Sequence, residues 1–221
     1  MIISGHRVCL RDVCASDLED YKRWFTPGKP WQAWDAPWEN TKENLARFRV
    51  QLLKRLQEPP PDPRTRLEIE TAEGRHLGWV TSCSADQHTH GRECGIDIAE
   101  EGAWGQGLGR EALTLWVGYL FSAHGLSRVG LGTWSGNERM IRLAARIGMR
   151  EEARFAAARQ FAGHIYDGVR WGVTREEWER YEAPCSNGLR RYTPVDWELT
   201  VELTRQLYQH HRSLQRGPAF T

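Results

Sequence analysis

No apolar run in this 221-residue chain approaches the roughly 18 residues that a membrane-crossing helix needs. No sign of charge dominates either. Lys and Arg number 30 against 29 Asp and Glu, a formal net charge of +1, which removes any global electrostatic case for nucleic acid or an anionic membrane as partner. No CxxC pair exists. The five cysteines, Cys9, Cys14, Cys83, Cys94 and Cys185, are odd in number and irregular in spacing, so they read as reduced thiols. The opening MIISGHRVCLRD lacks an apolar signal core and a small-residue cleavage site, and a cytoplasmic location is expected. Internal repeats and low-complexity tracts are lacking too. Tryptophan is abundant instead, with eleven copies, and such bulk serves either a core or a binding surface.

The hydrophobic pattern orders the chain. HRVCLRD (6–12) alternates like an edge strand. Ser16 with Glu19 spells a capping box that opens a helix, which Pro27 and Gly28 end. KPWQAWDAPWEN is a loop. Thr41 opens an amphipathic helix with Leu45, Phe48, Leu52, Leu53 and Leu56 on its apolar side, broken by PPPDP at 59–63. RTRLEIET, HLGWVTSCSAD and RECGIDIAE are strands of a meander, with QHTHG as a turn. REALTLWVGYLFSAHG is a helix closed by Gly125, and SRVGLGTW a strand. Asn137 caps NERMIRLAARIG, which Gly148 closes. Residues 149–173 form a hairpin with Ile165, Asp167, Val169, Trp171 and Val173 on one side. The composition shifts after Tyr181, which predicts a main domain over 1–182. A linker and C-terminal helical extension over 183–221 follow, the helix at 194–215 carrying the stripe Leu199, Leu203, Leu207 and Leu214. That stripe packs on its own domain or on a second subunit, and a homodimer is the expectation.

AWGQGLGREAL (103–113) carries the densest signal. It is no dinucleotide fingerprint: a third glycine is missing, Arg110 stands there, and a meander precedes it. It is no P-loop, because Gly109 is followed by Arg110-Glu111 instead of Lys-Ser/Thr. What fits is a strand, then a loop over 104–109, then a helix whose first free amides and dipole favour a pyrophosphate, with Arg110 adding charge and no metal required. The plainer reading is a tight strand-to-helix turn. His88-Thr89-His90 falls on the predicted turn and makes a poor metal site, so no metal is expected.

The strand, the Trp104-Gly105-Gln106-Gly107-Leu108-Gly109 loop and the helix together resemble the central motif of the GNAT superfamily of acetyl-CoA-dependent N-acetyltransferases. Trp104 stands where Gln or Arg is general, and the Trp-Gly pair is similar to the branch of ribosomal-protein N-terminal (Rim-type) and small-amine acetyltransferases. GHRVCLRDVCASDLEDYKRWF, SGNERMIRLAARIGMREEARF and GHIYDGVRWGVTREEW resemble further segments of that branch, so the likeness covers about residues 5–180. It implies an α/β (α+β) fold: a mixed, mostly antiparallel, splayed sheet flanked by helices. The pantetheine arm of acetyl-CoA would pair with Asp97, Ile98 and Ala99. The amides of Gly105, Gln106, Gly107, Leu108 and Gly109, with Arg110, would take the pyrophosphate, and Asn137 would touch the arm.

Acetyl transfer to nitrogen needs a neutral amine, a polarised thioester carbonyl and an acid for the leaving thiol. A strand amide near Ile98 would polarise the carbonyl. Glu93 matches the family's general-base glutamate by its spacing from Trp104, and Asp97 on the same strand face could assist or replace it. The acids common among relatives are missing, since Ala144 and Met140 stand at their positions; Tyr166 or His164 are the substitutes at hand. Trp31, Trp34, Asp35, Trp38 and Glu39 are similar in place to that branch's acceptor lid, and aromatic faces with carboxylates suit a cationic amine. The alternative is that these tryptophans only pack helices on the sheet. The acceptor would be a protein N-terminus or a small amine. An antibiotic or polyamine acetyltransferase, and a CoA-binding module without turnover, are the rival readings.

Overall fold

The computed structural model describes residues 1–84 and 91–182. The QHTHG turn with His88 and His90, Cys185, the domain boundary at 183 and the helix predicted over 194–215 lie outside the described residues, and the homodimer expectation goes with that helix. Eight strands form one sheet in the order β1-β2-β3-β4-β5-β6-β8-β7. They are β1 (Ile2–Ser4), β2 (Val8–Arg11), β3 (Arg66–Thr71), β4 (His76–Ser84), β5 (Gly91–Ile98), β6 (Arg128–Trp134), β7 (Arg150–Phe161) and β8 (His164–Thr174). Neighbours are antiparallel throughout except β5 and β6, which run parallel and pair only from Gly91↔Arg128 to Glu93↔Gly130. Beyond that short seam the two strands part, which gives the expected splay. HRVCLRD is not the edge: β1 pairs outside β2.

Five α-helices, α1 (Asp17–Trp24), α2 (Lys42–Gln57), α3 (Leu108–His124), α4 (Glu138–Arg146) and α5 (Arg175–Glu182), and two short 3-10 turns, Pro30–Ala33 and Glu101–Ala103, complete the described chain. The Thr41 side chain accepts the Asn44 amide and so caps α2, and Asn137 does the same for α4 through Met140. Gly107 (φ +82°) and Gly125 (φ +63°) bracket α3 in the left-handed conformation that a side chain disfavours. The capping box at Ser16 does not form. Ser16 makes no side-chain cap bond; Asp17, held by Arg11, accepts the Cys14 amide at 2.8 Å instead, and Glu19 pairs with Lys22. On α2, Leu45 and Leu52 are buried while Leu53 is exposed. In the last hairpin Val169, Trp171 and Val173 enter the core, but Ile165, on the same side, projects into solvent.

Register sorts the sheet residues onto two faces, because directly opposed residues point the same way. One face carries Val80, Cys94, Ile96, Val129, Leu131, Val169, Trp171 and Val173, packed with α3 residues such as Leu113, Trp116 and Leu120 into the main core. The opposite face has two parts. Over β4, Trp79 joins Tyr21, Trp24, Trp31 and Leu52 in a second core beneath α1 and α2. Over β5, β6 and β8 the same face is nearly bare of side chains, since the register lines up Gly95, Gly130, Gly132, Gly168 and Gly172.

Candidate active site

The bare face is the floor of a cavity of about 760 Å³, with Gly95, Gly132 and Gly168 beneath and Trp34, Trp38 and Trp134 at the sides. A second cavity, of about 590 Å³, runs from the splay along the glycine loop and α4. Both are lined by Trp34, Asp35, Ile96, Asp97, Asn137 and Met140. The two spaces therefore meet across the opening of the sheet, at a spot where carboxylates stand.

The second cavity is built for an anion. Gly105 and Gly107 adopt φ of +76° and +82°. The first i→i−4 bond at this end runs from Glu111 to the Gly107 carbonyl, so the amides of Leu108, Gly109 and Arg110 have no acceptor within the helix, and the dipole adds to their pull. Gly105, Gly107, Gly109 and Arg110 line this groove. Gln106 and Leu108 turn their side chains away, which leaves their backbone amides as the groups expected to meet a phosphate. Gln106 donates to the Gly102 carbonyl and accepts from Arg7 with its own, and Leu108 is in the core. Opposite, α4 presents Arg139, Arg142 and Arg146, three guanidiniums on one helix face that the spacing i, i+3, i+7 in ERMIRLAAR would have revealed. Such a cradle fits a pyrophosphate-bearing molecule such as CoA.

Trp104 fastens this loop to the sheet. Its Nε1 donates to the Ile98 carbonyl at 2.8 Å, and the Ala99 amide donates to Leu77 at 2.9 Å. Two of the backbone groups expected to meet the cofactor arm are thus already engaged. Arg139 lies 4.3 Å from the Trp104 ring centre and 4.8 Å from that of Trp34, a cation between two aromatic faces. The Trp34 carbonyl accepts from Trp134 Nε1 at 3.1 Å and from Asn137 Nδ2 at 2.9 Å. Asn137 therefore caps α4 with its oxygen and clamps the tryptophan loop with its nitrogen. Trp31 behaves differently from Trp34 and Trp38. It is buried, its Nε1 donates to the Trp24 carbonyl, and its ring packs edge-on against Trp79, while it also lines the second cavity.

Asp35 and Asp97, 62 positions apart in the chain, line both cavities side by side and act on each other's carboxyl. Surrounding protein raises both carboxyls above their ordinary range, with mutual repulsion adding to Asp97 and Glu39 to Asp35. Asp35 is nonetheless reached by water through the mouth of the cleft. The pair titrates as a unit that holds a proton where single carboxylates have lost theirs. Glu93 stands elsewhere. Its oxygens engage Arg128 at 3.3 Å and Arg170 at 3.1 Å, and it lines neither cavity. Tyr166 packs edge-on against Trp134, centroids 4.7 Å apart, and like His164 is absent from the lining of both. Among the described residues no cluster of metal-ligating side chains occurs.

Comparison with known proteins agrees with this geometry. No curated protein matches the chain. Solved structures match in fold: a GNAT-family acetyltransferase from Bacillus anthracis (TM-score 0.64, 19% identity, 80% of this chain and 99% of that one), a GCN5-related N-acetyltransferase from Brucella melitensis (0.63, 21%, 82% of each), and a spermidine N-acetyltransferase from Vibrio cholerae in complex with CoA and spermine (0.61, 17%, 77% and 97%). Residues 7–150 match the family model of the acetyltransferase (GNAT) domain, whose members use acetyl-CoA. The chain belongs to the acetyltransferase (GNAT) domain family.

Proposed function

We propose that this chain is an N-acetyltransferase that acetylates a primary amine, with the Asp35–Asp97 pair as its proton acceptor. The observation that carries this reading is the meeting of the two cavities at that pair: a cationic groove on one side, an aromatic and acidic cleft on the other. Acetyl-CoA supplies the acetyl group as a thioester. The chain's own residues do the rest. Gly105, Gly107, Gly109 and Arg110, helped by Arg139, Arg142 and Arg146, hold the phosphates, while Asp97, Ile98 and Ala99 offer their remaining backbone groups to the arm. Trp34 and Trp38 face the acceptor and exclude water from it. The Asp97 carboxylate, with Asp35 beside it, takes the proton of the incoming ammonium, so that a neutral amine is presented at the splay; as the C–N bond forms the C–S bond breaks, and the amine's second proton passes through water to the leaving thiolate. The Trp104-Gly105 pair favours the Rim-type and small-amine branch. The unpaired thiols of Cys9, Cys14 and Cys94 favour a cytoplasmic setting.

Release of free thiol from acetyl-CoA over a panel of amines tests this. Asp97→Asn should lower kcat by about 10²–10³-fold, the usual worth of a positioned base, with little change in Tm. Glu93→Gln should leave kcat within a few-fold. The reverse ranking would return the role to Glu93. Because desolvation by the surrounding protein and repulsion from neighbouring carboxylates raise both groups, the base form gains population above the ordinary carboxylate range. The lower limb of the kcat profile should lie there and vanish in Asp97→Asn.

A further inference from the structure

The larger cavity carries charges of both signs, and they stand apart. Asp35, Glu39 and Asp97 line it near the splay, whereas Arg159 and Arg170 line it over β7 and β8. Asp35 feels Glu39 and Asp97, with neither arginine among the charges acting on it. An unbroken sheet would put the Cα atoms of Arg170 and Asp97 roughly 12 Å apart, two strand spacings across and two residues along, and the parting of β5 from β6 beyond Glu93 sets them farther apart than that.

Neither arginine is incidental. Arg170 ends a ladder that runs Glu152–Arg128–Glu93–Arg170 across β7, β6, β5 and β8. The ladder lies in the lane cleared by the β6 glycines: a Cβ on Gly132 would stand 2.8 Å from Arg170 Nη1. Glu93 thus holds Arg170 over the cavity floor, and the single bond to Glu93 leaves most of the guanidinium's five donors free. Arg159 is placed by a bulge. Between the pairs Phe155↔Gly168 and Arg159↔Tyr166, three residues of β7 oppose only Asp167 of β8. Ala157 there takes φ +52°, a conformation that is costly for alanine. Asp167 fixes the bulge by accepting the Ala157 amide at 3.1 Å and Arg154 at 3.2 Å, and Ser135 exchanges two bonds with the Asp167 backbone. Bulges commonly re-aim side chains beside sites; this one puts Phe155, Ala158 and Arg159 on the cavity wall. Arg159 donates to the Ala158 carbonyl and lies over the Trp38 ring, and no carboxylate pairs with it among the described residues.

We infer that the acceptor is bipolar: its reactive amine lies at Asp35–Asp97, and a carboxylate or phosphate several bonds away is bound by Arg159 and Arg170. A polycation would set its far end against two guanidiniums, and repulsion of that kind selects against it. This deepens the proposed function and rests on reading the larger cavity as the acceptor's.

The test compares three amines built on six-carbon chains: aminocaproate, aminohexyl phosphate and hexamethylenediamine. Their Kd is measured by calorimetry on the CoA-saturated protein, and their kcat/KM by thiol release. At least one anionic amine should bind about tenfold more tightly than the diamine, the worth of a charged hydrogen bond at a partly wet site; the two anionic arms tell carboxylate from phosphate. Arg159→Gln should erase most of that preference, weakening the anionic amines and, with one repelling guanidinium gone, tightening the diamine, and Arg159→Glu should invert it. Gly132→Ala, which displaces Arg170 without changing its charge, should weaken the anionic amines alone. A wild type that binds the diamine as well or better, a preference indifferent to Arg159→Gln, or no binding by any of the three overturns the inference. Selective binding without thiol release from any amine would instead overturn acetyl transfer and leave the bipolar cleft standing. Thiol release without preference would do the converse.

Discussion

Leu131 and Gly132 are neighbours on β6 and point to opposite faces of the sheet. Leu131 is fully buried in the main core, and Gly132 floors the larger cavity. The comparison extends across three strands. On the core face, apolar residues alternate and interlock with α3. On the other, glycines alternate, and the side chains near them are charged and lie flat along the lane. One face stabilises by removing apolar area from water. The other contributes little packing and keeps room for a guest. A strand with period two can serve both ends at once, because substitutions on one face are spaced out by the residues of the other.

The largest test of this division lies where the cavity-side face does stabilise, under α1 and α2. Glu68 is 1% exposed and accepts from Tyr21 at 2.6 Å, with Arg66 and His76 beside it. Burial alone would raise its carboxyl, but Arg66, His76 and Tyr21 hold it down to about 2. Glu68→Gln leaves Arg66 buried without its counter-charge and should cost about 3–5 kcal/mol in denaturant unfolding. The sign follows from a depressed folded pKa: the wild type keeps this stabilisation above the unfolded carboxyl range, near pH 4.5, and loses it as pH falls from about 5 towards 2. The variant should show a flatter acid limb. Next comes Leu131→Ala, expected to cost about 3 kcal/mol through the cavity it leaves, with kcat per folded molecule retained. Smallest is Gly132→Ala, expected to move stability by no more than about 0.5 kcal/mol while altering acceptor binding. If Gly132→Ala proves as destabilising as Leu131→Ala, the two faces are not divided as described.

Much of the fold was legible because its signals are local. Thr41, Asn137 and Gly125 each act within one turn of their own position, and each does so in the structure. The splay and the glycine loop followed from a motif only a few residues long. Local signals failed where a tertiary partner intervened. Ser16 lost its cap to Asp17, which Arg11 holds from β2. The helix at Arg175–Glu182 went unread because Trp178, buried against Phe121 of α3, is what anchors it. The site was half legible. Its phosphate side is contiguous in sequence, whereas the Asp35–Asp97 contact and the glycine floor exist only once register is known. Glu93 resembled a base by spacing alone; its two arginine partners lie 35 and 77 positions away.

The short seam between β5 and β6 has a mechanical consequence. Three residue pairs are the whole of the strand pairing between a five-stranded plate and a three-stranded one, with the ion pairs of Glu93 to Arg128 and Arg170 beside them, and the lining shared by the two cavities is divided between the plates: Asp97 on the first, Asn137 just beyond the end of the second. Stiffness across that joint comes from α3, a beam that bears on β2, β4 and β5 on one side and on β6 on the other. Alignment of the two halves of the site is thus set from behind the sheet, by a helix whose core-facing side chains never enter the acceptor cavity.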